Sequence, residues 1–105
     1  MPIGKCASQA GHAFLNSYRQ ASPERQAAYL PAKDDIGTKV CLSVKDLKGL
    51  FTWCDWARSN NLPHFLVEDS GRNTTFGGVP TFSALGIGPL NAAEARGLRK
   101  LPLLQ

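Results

Sequence analysis

Cysteine, histidine and long apolar runs are all scarce in this 105-residue chain. The three cysteines, Cys6, Cys41 and Cys54, are odd in number and contain no CxxC pair. That argues against a disulfide framework or a zinc site and for a reducing compartment. His12 and His64 are the only imidazoles, too few for a histidine-rich metal centre. No apolar run approaches the roughly 18 residues of a membrane span, and the start MPIGK is not that of a signal peptide. The expectation is a cytoplasmic protein with no membrane, metal or cofactor.

Charge is modest as well. A chain that is 43% hydrophobic and 19% charged is composed like an ordinary globular protein, which excludes disorder as its native state. Twelve basic against eight acidic side chains leave +4, compatible with a polyanionic partner without demanding one. The basic residues run from Lys5 to Lys100 and form no tail. At this length the whole chain, 1–105, reads as one domain, able to bury roughly two-thirds of its unfolded surface.

What the chain does have is an organised start. Residues 4–19, GKCASQAGHAFLNSYR, lack proline and sort by helical period. At about 100° per residue, Lys5, Gln9, His12 and Asn16 fall within about 60° of one another. Cys6, Ala10, Ala13, Phe14, Ser17 and Tyr18 fall on the other side, a face small enough for close packing. By spacing alone the polar stripe reads as a solvated helix face.

Beyond it, Ser22-Pro23 marks the start of a short second helix that ends by Pro31. Residues 38–44, TKVCLSV, alternate as a strand with one apolar face. Asp46 opens a third helix to about Ser59, with Leu47, Leu50, Phe51 and Cys54 as its docking stripe. Trp53 and Trp56 beside that stripe read as packing residues. His64 to Val67 is a short buried strand, with His64 at its edge. The segment 73–80 is loop, 81–87 is a third strand, and Asn91 with Glu94 caps a last helix to about Arg99. The apolar tail 101–104 reads as pinned to the core.

This order predicts an α/β fold: a small mixed sheet, three strands visible in the chain, flanked by helices on both faces. The crossover through helix 46–59 suggests that strands 38–44 and 65–68 run parallel. Functional groups in such folds gather beyond the carboxyl ends of strands, where Asp69 and Arg72 sit. Three constellations result: the Lys5/Gln9/His12 stripe, the turn Glu68-Asp69-Ser70-Gly71-Arg72, and the hydroxyls of Thr74, Thr75, Thr81 and Ser83. Gly86-Ile87-Gly88 is no phosphate loop, since no GxxxxGK pattern is present.

Gly4-Lys5-x-Ala7-x-Gln9-x-x-His12-Ala13 resembles a segment of the archaeal and eukaryotic type of peptidyl-tRNA hydrolase, the Pth2 family. Further matches follow in order: Lys39-Val40 at a strand start, Asp46 at a helix start, Asp69-x-Gly71-Arg72, and Leu85-Gly86-Ile87-Gly88-Pro89. The resemblance covers about residues 4–89 and continues weakly into the last helix. It implies hydrolysis of the ester that joins a peptide to the 3′ end of tRNA. It also implies that Lys5, Gln9, His12, Asp69 and Thr81 are catalytic, and that Arg72, Asn73 and Ser83 contact substrate.

Three departures matter. Asn73 stands where the family has a threonine, with Thr74 beside it. The later hydroxyl falls on Thr81 when counted from the aspartate, and on Ser83 when counted back from the Leu-Gly-Ile-Gly-Pro block. The family's opening apolar strand has no counterpart here, since only Met1-Pro2-Ile3 precede Gly4. The expectation is an unpaired sheet edge and open apolar surface, covered by a second copy in a homodimer or by a rearranged tail.

Ester hydrolysis needs a nucleophile and a place for the developing oxyanion. No Ser-His-Asp or Cys-His order is evident, and Cys6 lies on the packed side of its helix. Direct attack by water follows, oriented or deprotonated by His12 or Asp69. Two other classes compete with this reading. One is a non-catalytic RNA- or protein-binding module on a degenerate scaffold of the same family; the other is a truncated, inactive relative.

Overall fold

The computed structural model describes residues 3–69 and 81–104. Local signals place the helices. Helix α1 spans Ile3–Gln20. Helix α2, Pro23–Tyr29, starts where Ser22 accepts a hydrogen bond from the Arg25 N–H at 3.2 Å. Helix α3, Leu47–Ser59, starts where the Asp46 carboxylate accepts from the Gly49 N–H at 2.9 Å. Each cap satisfies a donor that the first helical turn leaves orphaned and is worth about 1 kcal/mol. After α3 the chain turns through Asn61, at φ 56°, a left-handed conformation that asparagine tolerates better than most residues.

Strands β1, His64–Asp69, and β2, Thr81–Ile87, pair antiparallel from His64↔Ile87 to Asp69↔Thr81. The register breaks once. Val67 faces Ala84 and Glu68 faces Phe82, so Ser83 is an extra residue, a β-bulge in β2.

Helix α1 lies across both strands, and its closeness explains Gly86. A Cβ at Gly86 would run into the main-chain carbonyl of Ala13, so only glycine lets helix and strand meet here. One turn on, the buried Ser17 hydroxyl donates to the Gly88 carbonyl at 2.6 Å. The Gly88 N–H in turn donates to the Pro63 carbonyl at 2.8 Å. These bonds tie α1, the end of β2 and the start of β1 together. Helix α3 also packs on the sheet, with Phe51 edge-on to Phe82 at 5.4 Å. Trp53 and Trp56 meet edge to face at 5.2 Å, and the Trp56 indole occupies the space that a Cβ on Gly97 would need. Both tryptophans are packing residues.

The last helix is shorter than its pattern predicts. The capping box between Asn91 and Glu94 forms, but α4 covers only Ala92–Ala95 before tightening into a 3₁₀ turn, Arg96–Leu98. Gly97, a poor helix former held against Trp56, sits inside that tightened turn.

Glu94 also anchors α2. The Arg25 guanidinium donates to both its oxygens, at 2.6 and 2.9 Å, and to the Pro89 carbonyl at 2.8 Å. These hydrogen bonds hold the Glu94 carboxyl below its ordinary value of 4.5, against the opposing effect of burial; the Asn91 N–H adds to the lowering. A folded-state value below the unfolded one means that the stabilisation is complete above about pH 4.5 and fades as acid protonates Glu94 in the fold. The pair contributes about 1 kcal/mol at neutral pH. Thermal melts from pH 7 to pH 3 should show wild type losing more stability than Glu94→Gln, the two converging in acid. Parallel profiles would refute this.

One predicted strand does not form. Among the described residues the sheet has two strands, antiparallel, so the three-stranded mixed sheet and the parallel crossover through α3 are corrected. Within 38–44 only Leu42 makes a bridge, to Leu103 of the C-terminal tail, through Ser43 N–H to Pro102 O and Leu104 N–H to Cys41 O, both at 2.9 Å. The alternation in TKVCLSV specifies faces, but a strand also needs a continuous ladder with a neighbour, and here the pairing is a single bridge to the tail. The tail is held by this short ladder while the side chains of Leu103 and Leu104 remain exposed. The core is correspondingly thin. Its buried apolar residues are Ala13, Cys54, Ala57, Leu62 and Val67, and no large side chain among the described residues is fully buried.

Candidate active site

The stripe on α1 is not a uniformly solvated face. Gln9 is only 9% exposed, Lys5 is half-buried and His12 is exposed. Asn16 turns its amide back on its own helix, donating to the His12 carbonyl at 2.8 Å. The difference at Gln9 arises because α1 settles over both strands, which moves the edge of its buried face onto the stripe.

A hollow of about 430 Å³ opens between α1 and β1. Gln9, His12 and Asn16 line it from the helix, and Phe65, Val67 and Glu68 are among those lining it from the strand. Gln9 and His12 therefore share one concave surface beside the carboxyl end of β1. Asp69 is the last residue of that strand, and its register partner is Thr81. Two positions separated by eleven residues of sequence thus stand opposite each other in the ladder. Arg72 and Asn73 lie outside the described residues, as do Thr74 and Thr75.

Glu68 is the residue that the sequence reading placed differently. The sequence places Glu68 at the junction of the HFLV strand and the polar turn, with 68 as the strand's outer bound. The pairing continues through Asp69, and Glu68 lines the hollow.

Ser83 takes another place. As the bulged residue it lines a second, apolar cavity, where its Oγ is buried and has no hydrogen-bond partner among the described atoms. Gln9 lines both cavities and stands between them. Cys6 lines the apolar cavity, in keeping with its reading as a packing residue. Among the described residues no cluster of three His, Cys, Asp or Glu side chains is placed to hold a metal ion.

A family model described as peptidyl-tRNA hydrolase PTH2 matches residues 1–104. The chain belongs to this family. Two relatives, each called peptidyl-tRNA hydrolase and coming from two strains of Halobacterium salinarum, are 35% identical over 94 residues, 90% of this chain and 80% of theirs. A peptidyl-tRNA hydrolase of Haloquadratum walsbyi is 29% identical over 86 residues, 82% of this chain and 74% of its own. The PTH2 match takes in α1, both strands and the C-terminal ladder, well past the region that the motifs alone cover. Among the described residues no helix is long and apolar enough to cross a membrane.

Proposed function

We propose that this chain is a hydrolase that cleaves the ester between a peptide and the 3′ end of tRNA. The reading is carried by PTH2 membership over residues 1–104. The hollow that Gln9 and His12 share beside β1 supports this reading. It extends to a single catalytic domain, 1–105, acting in the cytoplasm.

In this mechanism a water molecule attacks the ester carbonyl carbon and gives its proton to His12 or Asp69. The developing oxyanion is met by the Lys5 ammonium and the Gln9 amide. The bond to the ribose oxygen then breaks; tRNA leaves with its hydroxyl reprotonated, and the peptide leaves as a carboxylate. Of the two candidate hydroxyls, Thr81 suits the site better. It pairs with Asp69, whereas the Ser83 hydroxyl faces the apolar cavity. Arg72 and Asn73 would contact the tRNA backbone, giving affinity that falls with added salt.

The test is release of free peptide from N-blocked aminoacyl-tRNA by wild type, Lys5→Ala, His12→Ala and Asp69→Ala. Wild type should turn over and each variant should be slower. An inactive wild type, or equal turnover in all four, would defeat the assignment.

A further inference from the structure

Beside the candidate active site, β1 has an edge that no strand covers among the described residues. The ladder fixes which groups that edge exposes. Gly88 donates its N–H to the Pro63 carbonyl at 2.8 Å, and the register carries on through Phe65↔Gly86 and Val67↔Ala84. Along an antiparallel pair, residues alternate between bonded to the neighbour and turned away from it. Phe65 and Val67 therefore point their backbone groups at β2, while Leu66 points its N–H and C=O outward. Leu66 lines the hollow of about 430 Å³ together with Gln9, His12 and Asn16.

Helix α1 gives this edge a direction. Ser17 is bonded to the Gly88 carbonyl, beside the start of β1, and Ala13 lies against Gly86, the partner of Phe65. From Ala13 back to Lys5 the helix covers about 12 Å. From Phe65 to Asp69 the strand covers about 13 Å. The stripe Asn16, His12, Gln9, Lys5 thus runs alongside β1 and reaches its Asp69 end.

We propose that the edge of β1 is the subsite for the peptide of the substrate: three residues of extended backbone, paired parallel to β1 through Leu66, beside the polar stripe of α1. This rests on the hydrolase reading, which sets the ester at the Asp69 end. The ester is carried by the last residue of the peptide, so the peptide's N-terminus lies toward His64 and its direction is that of β1. In a parallel pair the bonds are slanted, and one residue reaches two residues of its neighbour on either side of the one opposite. The Leu66 carbonyl accepts the N–H of the ester-bearing residue, and the Leu66 N–H donates to the carbonyl of the third residue from the ester. The middle residue turns its backbone groups away from β1. Three residues span about 10 Å, which matches the run of β1 from Phe65 to Glu68 that lines the hollow. Backbone pairing reads no side chain, which suits a substrate whose peptide varies in sequence. The edge is also short, six residues, and carries the exposed Glu68, features that discourage pairing between whole chains.

The probe is adenosine that bears acetyl-tri-alanine at its 3′ position through an amide, a link that resists ester hydrolysis. It is titrated into the isotopically labelled full chain and followed by NMR. The Leu66 amide resonance should shift, and its hydrogen exchange should slow. Affinity should exceed that of the acetyl-alanine analogue about fivefold, the worth of one further hydrogen bond. Methylating the nitrogen of the alanine next to adenosine should weaken binding about tenfold, since the Leu66 carbonyl loses its donor, whereas methylating the middle nitrogen should change it about twofold at most. Equal losses from the two methyl groups, or no gain with length, would overturn the pairing. So would a Leu66 amide already protected in the free protein, which assigns the edge to a second copy if sedimentation shows a dimer and to the chain itself if it shows a monomer. Release of peptide is then measured from the corresponding tRNA esters. Pairing of the analogue with no cleavage of any ester defeats the hydrolase assignment and leaves the peptide subsite standing. Cleavage indifferent to length and methylation keeps the hydrolase and removes the subsite.

Discussion

Replacing Gly86 by valine is expected to destabilise the fold by about 3 kcal/mol, near the upper end for overpacking. For a chain of this size that lowers the melting temperature by roughly 12–24 °C. The size of the effect follows from what the new atoms meet. A Cβ at position 86 would strike the carbonyl of Ala13 and lie 3.0 Å from the Ser17 Cβ. The first obstacle is main chain, so no rotamer change relieves it, and trimming Ala13 to glycine in the same protein should not rescue stability. Relief requires α1 to lift from β2. That would stretch the 2.6 Å bond from Ser17 to Gly88 and carry Gln9 and His12 away from β1. A melt of Gly86→Val within a few degrees of wild type would refute the close-packing account.

Lys5→Ala is expected to lower kcat for peptide release by about 10²–10³, the usual loss when one oxyanion donor is removed. The division between kcat and KM separates two roles for the ammonium. A donor to the developing oxyanion acts in the transition state, so kcat and kcat/KM fall together. A phosphate contact would act on the bound tRNA in every state, raising KM and reducing the salt slope by about one. Lys5→Arg keeps the charge but exchanges a compact ammonium for a broad planar fork, and should recover little of the rate. A raised KM at unchanged kcat would move Lys5 from the reacting carbonyl to the tRNA backbone.

The elements that sequence reading placed well are those set by neighbours in the chain. Ser22, Asp46 and the Asn91/Glu94 box each act within three residues, and each cap forms as expected. Strand 81–87 was bounded by glycine and proline and has those limits. What failed was non-local. Residues 38–44 carry an alternating pattern, but nothing in that pattern says whether a partner runs alongside for more than one residue, and here only Leu42 bridges, to Leu103. The polar stripe was legible as a helix face, and the aspartate as a strand end. Their juxtaposition is what the resemblance implies; the packing of α1 on β1 sets Gln9 and His12 beside the strand that ends at Asp69. The burial of Gln9 could not be read from periodicity, because it depends on how far α1 settles over the sheet.

The bulge at Ser83 works as a frame-keeper. In an unbroken strand an additional residue would invert the orientation of every position beyond it. Here β2 sets that residue aside at a single point, so Thr81 still meets Asp69 and Ala84 still meets Val67. The extra residue is absorbed locally, and positions 69 and 81 stay in phase. Deleting Ser83 should therefore leave the partnership of 69 and 81 in place, whereas deleting Phe82 as well would pull residue 81 out of phase with Asp69.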